Sequence, residues 1–160
     1  KMINVKIERL SDTAIMPTYG SEKAAGMDLY ANLGTYTVNN VKDCPDTPCW
    51  IDIAPHTTVK IHTGFAFQPP VGYCGKIYAR SGLATKQGLR TANCVGVCDE
   101  DYTGEYIVPI HNDTNKTQTI CHGDRIAQLI FEPYEQANLI EVDKLKSTER
   151  GSGGFGSTGK

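Results

Sequence analysis

The sequence predicts an all-β fold: a jelly-roll-like β-barrel with one short helix and a flexible, glycine-rich C-terminal tail. Two observations lead there. Short runs of β-branched and aromatic residues recur along the chain, and the gaps between them hold Pro45, Pro48, Pro55, Pro69, Pro70 and Gly72, the punctuation of a many-stranded sandwich or barrel. Helix-period patterning is nearly absent, and five of the last ten residues are glycine, too many for a packed element.

Taken in order, Ile3, Val5 and Ile7 alternate with polar residues and predict a half-buried strand. A loop with Pro17, Gly20 and Ser21 leads to AAGMDLYA, a short apolar strand carrying Asp28. Further strands are expected over residues 35–38, 50–53, 57–61, 64–67 and 73–78. Ser81–Gln87 is the best helical segment, about two turns, capped by Ser81 and stopped by Gly88. Residues 91–105 (TANCVGVCDEDYTGE) predict two strands of a hairpin with acids at its bend. Residues 105–111 and 116–120 continue the strand pattern around a turn at 112–115, and Gly123 and Asp124 form a turn before a mostly apolar strand over 126–131.

With 160 residues the chain has room for one core, so residues 1–149 are expected to form the domain and residues 150–160 a mobile arm. A net charge of -2 and a pI near 6.1 argue against a nucleic-acid or membrane surface built on bulk charge. An anionic ligand must then be met by a few placed cations. No apolar run approaches membrane-spanning length and KMINVKIERL lacks a signal-peptide core, which predicts an intracellular protein, in the cytoplasm or the nucleus. In that setting the six cysteines read as reduced thiols; there is no CxxC pair, and the four scattered histidines give no zinc spacing.

Several side chains stand out chemically. Along a strand, Asp99 and Asp101 would share one face, with Glu100 and Tyr102 on the other. One carboxylate there could hold a water, although acids at a bend are also ordinary turn residues. Asp28, between Met27 and Leu29, is costly to bury unless cations or N–H groups satisfy it. Arg80 and Ser81 fall where a strand becomes a helix, a place that receives anions. Gln128 sits in an apolar strand and needs hydrogen-bond partners. In the tail, Arg150 and Phe155 are poor linker residues, and Gly156, Ser157, Thr158 and Gly159 offer N–H groups and hydroxyls able to wrap phosphates. Residues 154–160 fit GxxxxGK, but with no preceding strand and no following Ser or Thr they are not a Walker A loop.

Together, AAGMDLYA, ARSGLATKQG, NCVGVCDEDYTGE, GDRIAQLI and RGSGGFGSTG resemble, in order and spacing, the five motifs of the trimeric dUTP pyrophosphatase (dUTPase) family. The resemblance covers nearly the whole chain and implies hydrolysis of dUTP to dUMP and pyrophosphate. It implies that Asp99 orients and deprotonates the water attacking the α-phosphorus, and that Tyr102 packs under the deoxyribose and excludes a ribose 2'-hydroxyl. The backbone around Gly96 and Val97, with Asn93, would read uracil; Arg80, Ser81 and Gly82 would contact phosphates; Gln128 would lie near the α-phosphate. Asp28 would pair with Arg80 or organise its loop. Arg150 would engage the γ-phosphate, Phe155 would stack on uracil, and Gly156, Ser157 and Thr158 would wrap the phosphates. The resemblance also implies Mg²⁺ carried by substrate phosphates and water with no protein ligand, and a homotrimer with shared sites.

Two features depart from the family pattern: Ala79 stands where a proline is frequent, and residues 39–52 are longer than the usual connection. That connection reads as a tolerated surface insertion, with a Cys44 to Cys49 bridge or a partner-binding loop as the alternative. A dCTP deaminase or bifunctional deaminase-dUTPase, and a catalytically silent binding protein on the same scaffold, are the competing functions.

Overall fold

The computed structural model describes residues 2–34, 41–42, 50–93 and 95–154. Thirteen strands and one helix are found among them. The strands are β1 (Lys6–Arg9), β2 (Thr18–Tyr19), β3 (Met27–Tyr30), β4 (Val41–Lys42), β5 (Trp50–Ile53), β6 (Thr58–Ile61) and β7 (Phe65–Gln68), followed by β8 (Tyr73–Ala79). Helix α1 (Ser81–Gln87) precedes β9 (Leu89–Thr91), β10 (Gly96–Cys98), β11 (Val108–Asn112), β12 (Gln118–Cys121) and β13 (Arg125–Pro133). The all-β class with one short helix is the architecture found. The strand expected at 35–38, and Cys44 and Cys49, lie outside the described residues.

Every described strand pairing is antiparallel. The largest sheet has the order β10-β8-β13-β3-β2, and three smaller ones are β6-β11-β9, β12-β5-β4 and β1-β7. Their inner faces meet in one core of Leu29, Ile51, Ile53, Ile61, Phe65, Ile77, Leu89, Tyr106, Val108, Ile110, Ile120, Ile126 and Leu129, all essentially inaccessible. The alternation that predicted β5 and β11 is the alternation that buries them: Ile51 and Ile53 face inward, as do Val108, Ile110 and Asn112. Asn112 is buried without penalty because its amide donates to the carbonyls of Ile53 and Lys116, while its oxygen accepts from Thr114.

Two expectations are corrected. The N-terminal segment is half-buried only at its start: Ile3 and Val5 are partly buried, Val5 against the core, whereas β1 begins at Lys6 and its four residues are exposed, Ile7 at 39%. Its apolar side chains, with Met2, Ile3, Val5, Met16, Met27, Phe67 and Phe131, line an open groove of about 740 Å³. The alternation is real, but past Val5 the face it marks looks into this open groove. The second correction concerns the helix. Arg80, extended at φ -81° and ψ 125°, holds the N-cap position with no side-chain cap, so Ser81 is already helical and its carbonyl accepts from Thr85. The C-terminal stop is as expected, with Gly88 at φ 66°, a conformation that suits glycine, donating its N–H to Ala84.

Candidate active site

The largest sheet sorts the candidate residues into two groups. Arg80, Ser81 and Gly82 emerge from the C-terminal end of β8 into α1. Gln128 on β13 is directly opposite Asp28 on β3 and Tyr78 on β8, so the three side chains form one row across the sheet. Asp28 is 4% accessible, and both its oxygens are used: Arg80 Nε donates to Oδ1 at 3.1 Å and Arg125 Nη1 to Oδ2 at 3.3 Å. Arg80 Nη1 also donates to the Arg125 carbonyl at 3.1 Å. A buried carboxylate thus gathers two guanidinium groups beside the uncapped start of a helix. The sequence reading missed Arg125; its signal was a cation just after the Gly123–Asp124 turn, three positions ahead of Gln128.

Gln128 finds a different environment from the one expected of a structural amide. Among the described residues its side chain makes no hydrogen bond within the protomer, and it is half-buried beside Asp28. It is available to a ligand.

Asp99 belongs to the other group. Residues 91–105 do not form the expected two-stranded hairpin. Strand β10 pairs with β8, whereas the segment after the acids crosses to the body, where Glu105 bridges Ala66 and β11 pairs with β6 and β9. Residues 99–102 make a turn closed by Tyr102 N–H to the Asp99 carbonyl at 3.2 Å, so strict alternation does not apply. Asp99, Asp101 and Tyr102 are exposed. Glu100 is half-buried, with Oε2 accepting from the Gly72 N–H at 2.6 Å. Its carboxylate beside the Tyr134 hydroxyl, together with burial, pushes that hydroxyl's pKa up.

Tyr102 is held by both of its ends. The ring stacks on Tyr106, with centroids 6.1 Å apart, and the hydroxyl donates to the Glu105 carbonyl at 2.9 Å. A Cβ at Gly104 would lie 2.6 Å from that hydroxyl, so the close approach requires glycine. One ring face is left to solvent, the side chain being 45% exposed. Behind the turn, burial pushes the Cys98 thiol up to about 11, which keeps it protonated at neutral pH.

Asn93 is exposed in a bend, and its carbonyl accepts from Thr91 Oγ1 at 2.9 Å. Gly96 and Val97 lie on β10, the edge strand, so their outward backbone groups are unpaired among the described strands. In the tail, Arg150 Nε donates to the Gly153 carbonyl at 2.8 Å within a local turn. Phe155, Gly156, Ser157 and Thr158 lie outside the described residues.

The two groups do not meet within one protomer. Cys98, next to Asp99, is opposite Gly75, whereas Arg80 lies five residues further along the chain, just past the end of β8, about 17 Å at ~3.3 Å per residue. Gln128 is on β13, two strands away from β10.

A dUTPase family model matches residues 12–159. The chain is 40% identical over 159 residues to a deoxyuridine 5'-triphosphate nucleotidohydrolase of Syntrophotalea carbinolica, covering 99% of each. It is 44% identical over 151 residues to the enzyme of that name from Desulfotalea psychrophila, covering 94% of this chain and 91% of the relative. Its fold superposes with TM-score 0.76 on a Staphylococcus bacteriophage 80alpha dUTPase with dUPNHPP, at 25% identity, covering 98% and 99% of the two chains. With the family model spanning all five sequence stretches, and relatives of this identity matched along nearly their full length, the chain belongs to the dUTPase family.

Proposed function

We propose that the chain hydrolyses dUTP to dUMP and pyrophosphate by water attack on the α-phosphorus, in a site completed by neighbouring copies in a homotrimer. The activity limits uracil incorporation into DNA and supplies dUMP for thymidylate synthesis. The observation that carries the reading is the family match over residues 12–159.

A triphosphate repels a nucleophile, so the reaction needs an in-line water, a base for its proton and neutralised phosphate charge. Asp99, exposed and without a hydrogen bond to its carboxylate among the described residues, is the base. The edge of β10 around Gly96 and Val97, with Asn93, reads the uracil through backbone groups, and the free face of Tyr102 takes the deoxyribose. Arg80, Ser81, Gly82 and Gln128 of a second copy receive the phosphates. Arg150, Phe155, Gly156, Ser157 and Thr158 form an arm, residues 150–160, which closes over the site from the domain of residues 1–149.

Sharing between copies is supported by the separation of Asp99 from Arg80 along β8. It is supported too by apolar surface that a monomer leaves in water: the groove beside β1, and Leu139, Ile140, Val142 and Leu145, each more than half exposed. A second copy of the chain, with apolar residues to match, is the occupant of that groove.

Mg²⁺ would be carried by the substrate's phosphate oxygens and water, a donor set that suits it, and would supply neutralisation of charge on the departing pyrophosphate. No helix among the described residues is long and apolar enough to cross a membrane. An enzyme of the deoxynucleotide pool acts in the cell interior, and we assign this one to the cytoplasm, with the nucleus as the alternative.

The test is one assay with Mg²⁺ and dUTP, dTTP, UTP and dCTP side by side. Pyrophosphate release from dUTP alone is expected. Ammonia from dCTP would indicate a deaminase, and intact dUTP would overturn the reading. Deleting residues 150–160 should lower dUTP turnover by about tenfold or more while leaving assembly unchanged, since these residues contribute closure and none to the described core. Light scattering and steady-state kinetics on the truncated chain check both halves.

A further inference from the structure

We infer that Glu105 is a positioning residue for the catalytic turn: with His62 it forms a clamp that fixes where Asp99 and Tyr102 stand. The inference rests on the roles proposed above for those two residues.

The turn at residues 99–104 needs such a device. It belongs to no ladder, and within it the only backbone hydrogen bond among the described residues is from Tyr102 to Asp99. An exposed loop with so few internal bonds opens easily. Catalysis tolerates little of that, because a misplacement of about 1 Å at a reacting group costs on the order of 10²-fold in rate.

Glu105 supplies the restraint from the far end of the turn. Its Oε1 accepts the Gly64 N–H at 2.7 Å, and its Oε2 is 2.7 Å from His62 Nδ1. The carboxylate is largely sequestered, the side chain being 12% accessible against 23% for His62. Both partners sit at the entry to β7, whose Phe65 and Ala66 continue the attachment: the Phe65 carbonyl accepts from Tyr106 N–H at 2.9 Å and Ala66 bridges Glu105. Thr63 Oγ1 adds a bond to the Tyr106 carbonyl at 2.7 Å. The route from clamp to chemistry is one residue long, because the Glu105 carbonyl is the acceptor that holds the Tyr102 hydroxyl. At the other end Glu100 accepts from Gly72. Two acids that follow Asp99 in sequence are thus spent on backbone N–H groups, Glu100 immediately after it and Glu105 at the far end of the turn.

Glu105→Ala removes the clamp, and Glu105→Gln keeps an acceptor for Gly64. His62→Ala removes one of the two partners. Full-length proteins with Mg²⁺ are assayed on dUTP and UTP, and amide exchange is followed over residues 99–104. For Glu105→Ala, kcat for dUTP should fall about 10- to 100-fold. The preference for dUTP over UTP should narrow by about tenfold, and exchange at Tyr102 should quicken by about tenfold or more. Glu105→Gln should stay within about threefold of the parent, with His62→Ala between the two.

Parental kcat, substrate preference and exchange in Glu105→Ala would overturn the inference. If that variant does not fold, the same parental values in His62→Ala would do so. A parent chain that leaves dUTP intact would overturn the function instead, and the exchange measurement would still decide the clamp.

Discussion

Asp99→Asn is expected to lower kcat for dUTP by about 10³-fold while leaving the affinity for a non-hydrolysable dUTP analogue within a few fold, on the scale of general-base catalysis. A loss of that size corresponds to about 4 kcal/mol of barrier. The substitution is nearly isosteric, and the position is an exposed turn whose carboxylate holds no other part of the described structure in place. The folded state should therefore change by no more than about 0.5 kcal/mol, as for other surface positions away from special features. What the carboxamide lacks is the capacity to take a proton from water. Steady-state pyrophosphate release, with calorimetric titration of the analogue, separates the two quantities, and a variant with near-parental turnover would remove Asp99 from the chemistry.

The strands were readable because local periodicity and burial agree over most of the barrel: Ile51 and Ile53, or Val108 and Ile110, are inward for the reason their spacing suggests. Residues 3–7 show where that agreement stops. Alternation marks an apolar face but not what it faces, and here it lines an open groove at the protomer surface.

The acids at 99–105 fail for a different reason. A period-two reading assumes a ladder, and this segment leaves its strand because Glu105 is captured by Gly64 and His62, contacts 41 and 43 residues away in the chain. Long-range capture leaves no local trace. Asp28 lies between these cases. Its anomaly was visible as a carboxylate between apolar neighbours, and Arg80 as a cation at a strand end, but the second arginine depended on the pairing of β3 with β13.

Asp28→Ala is expected to destabilise the chain by about 3 kcal/mol, and to lower kcat/KM for dUTP by about 10²-fold chiefly through KM. The carboxylate is 4% accessible and ion-paired with both Arg80 and Arg125, so its loss leaves two guanidinium groups without their counter-charge in a row otherwise formed by Gln128 and Tyr78. The pairs are unequal. The Arg80 side chain is 25% accessible and loses a partly desolvated partner, whereas Arg125, at 51%, returns to water at small cost. Arg80 therefore carries most of the effect. Freed from Asp28 Oδ1, it keeps, among the described residues, only its bond to the Arg125 carbonyl and loses the fixed geometry with which it would meet a phosphate. Asp28→Asn, retaining one acceptor but no charge, should fall between parent and alanine in both thermal midpoint and KM. The contrast with Asp99 is then diagnostic, since one acid acts on kcat alone and the other on stability and KM together. Alanine at position 28 with a parental melting midpoint and KM would show that the paired arginines are held by something other than this carboxylate.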